Sequence, residues 1–185
     1  ISRRSSSDWE LKVSGVAAHS SQIFTEKVGV GAIFEASRIL NEFYEVLSEE
    51  PNLTFNPGVI LGGTTVQHDA DKKSGEASGK DNIVAQTVVV SGDIRAVSPE
   101  QLKKAQEVMM NVVANHLPQT QAEIIFHEGY PPLAPTPGNY QLLQYFDQVS
   151  KDLGYGSISA VNPRYAGAAD ISFTSGFVDM AMDGL

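Results

Sequence analysis

The chain has 185 residues, enough for one domain and part of a second, and its 42% hydrophobic and 19% charged side chains exclude a disordered polymer. Thirteen Lys and Arg against 22 Asp and Glu give a formal charge of −9, so no nucleic-acid partner is expected; the one basic cluster is Arg3-Arg4 at the terminus. No apolar run approaches the roughly 18 residues of a membrane span, and the absence of Cys removes disulfides and thiolate metal sites. The N-terminus lacks Met and has no apolar signal-peptide core, so the sequence reads as a piece of a longer, soluble protein, cytoplasmic or periplasmic.

Residues 8–16 alternate, with Trp9, Leu11 and Val13 on one face and Glu10, Lys12 and Ser14 on the other, which predicts a half-buried strand. A loop carrying Ala18-His19-Ser20-Ser21 follows. Val28, Val30, Ile33, Phe34, Leu40, Phe43, Val46 and Leu47 recur near helical spacing, so 28–49 reads as an amphipathic helix stopped by Pro51. Residues 55–66 read as a strand interrupted by Gly58 and Gly62-Gly63, and the polar stretch 67–80 as a flexible loop. Residues 83–94 form the clearest strand, around Thr87-Val88-Val89-Val90. Ser98 as N-cap, Pro99 at the first position and Gln101 at the capping-box site start a helix that runs to about His116. Residues 122–126 are a last strand.

This order predicts an α+β, ferredoxin-like βαββαβ unit over 1–128, with four antiparallel strands and two helices on one face. A Pro-rich linker occupies 129–137. Residues 138–185 then read as a truncated α/β segment: a helix over 138–153 with Leu142, Leu143, Phe146 and Val149 inward, a strand at 157–161, a helical turn at 168–175 and a strand at 177–182. So few residues cannot readily build a core of their own.

Four motifs, in order, carry a family resemblance. Leu11-Lys-Val-Ser-Gly15 with Ala18-His19-Ser20-Ser21 and Gly29-Val-Gly-Ala-Ile33 resembles the entry to the lid of metallopeptidase family twenty, with Gly31 replacing the usual Asn. That family holds glutamate carboxypeptidase, aminoacylase, acetylornithine deacetylase, succinyl-diaminopimelate desuccinylase and tri- and dipeptidases. Asn82-Ile-Val-Ala85, then Gly92-Asp-Ile-Arg95 with Arg95 13 residues after Asn82, resembles its Asn-Val-Ile-Pro and Asp-x-Arg pair, with Ala85 where Pro is usual. Gly167-Ala-Ala-Asp170 resembles its Gly-Gly-x-Ser-Asp loop, and Asp183-Gly-Leu185 the strand leading to its last metal-binding His.

The resemblance implies a dimeric hydrolase with two zinc ions that cleaves a peptide or N-acyl amino acid at an amide beside a free carboxylate. The zinc ligands would lie outside this chain, whose scattered histidines at 19, 68, 116 and 127 lack ligand spacing, and no metal is expected in the piece itself. His19 matches a lid histidine that reaches the other subunit's site and donates to the oxyanion; a local capping role is the other reading. Asn82 and Arg95 match residues that hold the substrate carboxylate or carbonyl oxygen, against a turn residue after Asp81 and a pair of Arg95 with Asp93 or Glu100. Gly167 and Ala168 match a loop whose N–H groups approach the carboxylate, against a tight turn before a short helix capped by Asp170. Arg164 either serves the same anion or covers the linker, and 127–130, with no Arg, gives no support to a strict glutamate preference. Helix 28–49 and strand 55–66 are the expected homodimer elements. The alternative is a non-catalytic ferredoxin-like oligomerisation or small-ligand-binding module.

Overall fold

The chain runs through β1 (Ser6–Ser14), α1 (Ala32–Leu47), β2 (Thr54–Gly63), β3 (Thr65–Asp69), β4 (Ser74–Ser78), β5 (Thr87–Arg95), α2 (Pro99–Ala114), β6 (Gln121–Tyr130) and α3 (Pro137–Asp152). Short 3-10 turns occur at Ser20–Gln22, Pro163–Tyr165 and Asp170–Thr174. These elements come from a computed structural model that describes residues 1–184. The main sheet is antiparallel in the order β2-β5-β1-β6, with α1 and α2 packed on one face: the α+β, ferredoxin-like arrangement expected from the sequence.

Register follows from side-chain alternation. Trp9, Leu11 and Val13 stand opposite Gly92, Val90 and Val88 of β5, and opposite Phe126, Ile124 and Ala122 of β6. That face receives Ala32, Ala36, Ile39, Phe43 and Leu47 from α1, and Ala105, Met109, Val112 and Val113 from α2. The Trp9 ring meets Phe43 edge-on at 6.1 Å, and its Nε1 donates to the Asp93 carbonyl at 3.0 Å. Gly92 admits the ring, because a Cβ there would come within 2.5 Å of Trp9 Cζ2.

Several element limits differ from the sequence reading, each for a physical reason. α1 starts at Ala32 rather than 28, because Gly29 (φ 65°) and Gly31 (φ 78°) take left-handed backbone that a right-handed helix cannot include. The buried stripe is therefore Ala32, Glu35, Ala36, Ile39, Phe43 and Leu47, leaving Ile33, Phe34, Tyr44 and Val46 exposed. β5 starts at Thr87, and residues 82–86 form an irregular lead-in to it. β6 extends to Tyr130 because β1 offers partners as far as Ser6. α2 begins as expected, with Gln101 N–H donating to Ser98 Oγ and Gln101 Oε1 accepting from Val97 N–H.

The stretch expected to be a flexible loop at 67–80 is instead the β3–β4 hairpin, laid across the sheet face opposite the helices. Local composition hides its partner: His68 Nδ1 reaches Glu10 Oε2 at 2.8 Å, and both side chains are more than nine-tenths buried. Residues 157–161 and 177–182 form no strand, because no neighbouring strand pairs with them among the described residues. α3 buries Asn139 and Ser150 and only half-buries Leu142, Leu143 and Phe146, while Val149 is exposed rather than inward. Among the described residues, no helix is long and apolar enough to cross a membrane.

Glu35 is a fully buried carboxylate in α1. Arg38 forks onto it (Nε–Oε2 3.2 Å, Nη2–Oε1 2.8 Å), and Leu117 N–H donates to Oε2 at 3.2 Å. Arg38 also donates to the carbonyls of Val112 and Asn115, so the pair fastens α1 to the C-terminal end of α2. Removing one partner of a buried pair strands the other, so Glu35→Ala is expected to cost about 3 kcal/mol in urea denaturation. Glu42→Ala, at the solvent side of the same arginine, should cost less than about 1 kcal/mol.

Candidate functional site

The sheet has two polar ends. At the first, β1 and β5 continue past their regular pairing through short backbone contacts: Gly15 N–H to Gln86 O (2.9 Å), Val84 N–H to Ala18 O (2.8 Å) and Ser20 N–H to Asn82 O (2.8 Å). His19 and Ile83 form an isolated antiparallel bridge between them. The loops of His19 and Asn82 are thus brought together, each with an exposed side chain. Gly31 lets them close, because Ala32 N–H donates to Ala85 O at 3.0 Å, and Gly15 packs against the backbone of Gly31 and Ala32.

His19 is the N-cap of the 3-10 turn Ser20–Gln22, its Nδ1 accepting from Ser21 N–H at 3.2 Å. An accepting Nδ1 requires the tautomer that carries its proton on Nε2, so the ring presents a donor on the side these contacts leave alone. A cleft of about 470 Å³ opens beside this end, lined in part by Ser20, Gly31, Phe34, Gly63, Lys80 and Ile83.

Arg95 lies at the other end, at the last residue of β5, where its Nε donates to Asp93 Oδ2 at 2.8 Å. Across the strand pair is Thr54, whose Oγ1 accepts from Arg4 Nη1 at 2.8 Å. Arg4 N–H in turn donates to Ala166 O at 3.3 Å, which places the 164–168 loop against the same end. Gly167 and Ala168 are half-buried, and among the described residues their N–H groups take no part in backbone hydrogen bonding. Burial first, then the Arg95 and Arg164 guanidiniums, push the Arg4 pKa below its ordinary value, and Asp93 acts the other way. Arg4 Nε is buried without a hydrogen-bond partner.

Arg95, Gly167, Ala168 and Arg164 therefore gather at one end and His19 and Asn82 at the other, separated by the nine residues of β5. At about 3.3 Å per residue, the strand alone spans on the order of 26 Å. Arg4 was legible only as part of a terminal basic pair; the one hint of its place is that it precedes the strand paired with β5. Asp170 does not cap the turn that follows the 167–169 loop: Ala169 is the N-cap, and Asp170 Oδ1 instead accepts from Tyr130 OH at 2.9 Å.

Among the described residues, no three His, Asp or Glu side chains come together as a metal site. His68 is engaged by Glu10, and His116 lies 4.0 Å from Glu35, both on structural contacts. The residues present do not fit a zinc centre.

Residues 1–121 match the peptidase dimerisation domain of metallopeptidase family twenty. The chain belongs to this family. No curated protein matches it significantly. Among solved structures, a tripeptidase from Staphylococcus aureus superposes with a TM-score of 0.69 at 19% identity, over 96% of this chain and 42% of that one. An amidase of the hydantoinase/carbamoylase family from Burkholderia phymatum gives 0.65 at 16% identity, over 97% and 41%. The aminopeptidase PepT from Bacillus cereus gives 0.64 at 14%, over 97% and 43%. At such identities the likeness is one of fold, and the chain spans about two-fifths of each relative's length.

In this dimerisation domain, the position of the His19 loop depends on backbone that only glycine supplies. Gly31→Ala would force a side chain onto φ 78° and against Val84 Cγ1. It should lower stability by more than about 1 kcal/mol and shift the amide NMR signals of residues 18–20 and 82–85. His19→Ala, at an exposed position, should leave the melting temperature unchanged.

Proposed function

We propose that the chain is the dimerisation part of a zinc-dependent hydrolase that cleaves a peptide or N-acyl amide bond beside a free carboxylate, and that each active cleft is built from two copies. The observation that carries this reading is the separation of the two polar ends. Within one copy, His19 and Asn82 cannot reach a group held by Arg95, because β5 stands between them.

A two-fold dimer resolves this. β2 is an edge strand, and it is flanked by an exposed apolar surface that includes Ile33, Phe34, Tyr44 and Ile60. Phe24 extends that surface by packing on Phe34 at 5.8 Å. Pairing β2 with the same strand of a second copy covers this patch and removes the open edge. A two-fold contact of this kind is isologous, so paired edge strands run antiparallel. The Gly63 end of one copy, with His19 and Asn82, then lies beside the Thr54 end of the other, with Arg95.

Amide hydrolysis passes through a tetrahedral intermediate bearing an oxyanion, and a Nε2–H donor on His19 stabilises that charge. The Arg95 fork and the Asn82 amide hold the substrate carboxylate. The zinc ions that family membership implies have no donor set among the described residues, and we assign their ligands to residues outside this chain. A non-catalytic oligomerisation module is the second reading, favoured by the absence of a metal cluster among the described residues.

Complementation in the full-length hydrolase tests the shared cleft. His19→Ala should lower kcat by roughly 100-fold with little change in KM. Mixing His19→Ala with Arg95→Ala should restore about a quarter of wild-type activity, since half the dimers are mixed and each has one intact cleft. No recovery on subunit exchange would sink the two-copy cleft. Ile60→Arg, which puts charge into the apolar edge, should shift the chain toward monomer in light scattering.

A further inference from the structure

The arginine cluster at the Arg95 end is larger than one carboxylate requires. Arg4 is anchored on three sides: its Nη1 donates to Thr54, its N–H donates to Ala166 O, and the following Ser5 is tied to Ala96 by bonds in both directions. Thr54 is the cross-strand neighbour of Arg95, and Ala166 lies two residues beyond Arg164. Three guanidinium-bearing residues thus meet at one end of a chain whose overall charge is −9. The carboxylate that acts on the cluster is Asp93, and it is taken up by Arg95 Nε.

Neither a salt-bridge network nor helix capping accounts for the arrangement. Arg38 in the same protein shows what a structural arginine looks like, with two carboxylates and two carbonyls around it. Arg4 has a hydroxyl, and its buried Nε has no partner at all. Like charges are brought together against their repulsion and left under-satisfied, which is the pattern of a site completed by an anion. The N–H groups of Gly167 and Ala168 at the same end add donors without side-chain bulk.

We propose that Arg4, Arg95 and Arg164 together bind a substrate that carries two carboxylates, Arg95 taking the one beside the scissile amide and Arg4 with Arg164 taking the second. The inference deepens the hydrolase reading and rests on it for the role of Arg95. A doubly charged ligand balances the cluster where a single carboxylate leaves it positive. The preference is set by side chains from three separate parts of the chain: the segment before β1, the end of β5 and the 164–168 loop.

The test is a titration of the whole chain with succinate, acetate and inorganic phosphate at constant ionic strength, followed by the arginine Nε–H NMR signals. Succinate is expected to bind roughly tenfold more tightly than acetate and to move the signals of both Arg4 and Arg95. Arg164→Gln, at an exposed position that the fold does not need, should bring succinate down to the level of acetate, and Arg4→Gln should do the same. Equal binding of succinate and acetate overturns the proposal, as does an Arg164→Gln chain that keeps the full preference. Phosphate binding more tightly than succinate overturns the two-carboxylate class in favour of a compact dianion. Failed His19 complementation alongside intact succinate binding would strike the proposed activity and leave this site standing.

Discussion

β5 is a nine-residue central strand paired on both sides, and its length is the constraint on which the functional geometry depends. A strand held by β2 along its run and by β1 from Thr87 to Ile94 cannot bend to bring its ends together. Every group attached to one end therefore stays at that end. The dimerisation domain acts as a ruler: it sets the separation between the His19–Asn82 loops and the arginine cluster, and the two-fold pairing we propose sets one such ruler inverted against another.

That ruler is made stiff by close packing rather than by length. Trp9 fills the space that Gly92 leaves on β5 and meets Phe43 of α1 edge-on, so one ring couples sheet and helix. The buried Glu35–Arg38 pair does the same work between α1 and the end of α2. At the far end, the first residues act as a strap. Arg3 pairs with Leu133 through two backbone bonds, and Asn139 binds Ile1 O, Ala134 O and Ala181 N–H. Arg3 also meets Asp183 at 3.2 Å, and Tyr130 holds Asp170. These contacts seat the segment around α3 on the sheet, although many of its aromatic side chains, among them Tyr155, Tyr165 and Phe177, stay exposed.

The helices and central strands were legible because their signals are local. Ser98, Pro99 and Gln101 specify a helix start within four residues, and the alternation of Trp9, Leu11 and Val13 specifies a buried face. The β3–β4 hairpin was not legible, because its support is the Glu10–His68 contact across 58 residues of sequence, and its own composition is that of a loop. The expected strands at 157–161 and 177–182 failed for the converse reason: β-branched and aromatic residues supply propensity, but a strand exists only where another strand accepts its hydrogen bonds.

The same division applies to the candidate site. Hydrophobic periods along the chain determined the fold class, and motifs that resemble the family's supplied the candidates His19, Asn82, Arg95, Gly167 and Ala168, because both signals lie along the chain. Only the tertiary structure decided which of them share an end, since that depends on strand direction and register. It also brought in Arg4, which is distant from Arg95 by 91 residues of sequence and adjacent through Thr54 in space. Periodicity reports which way a side chain faces; the pairing of strands decides what it faces.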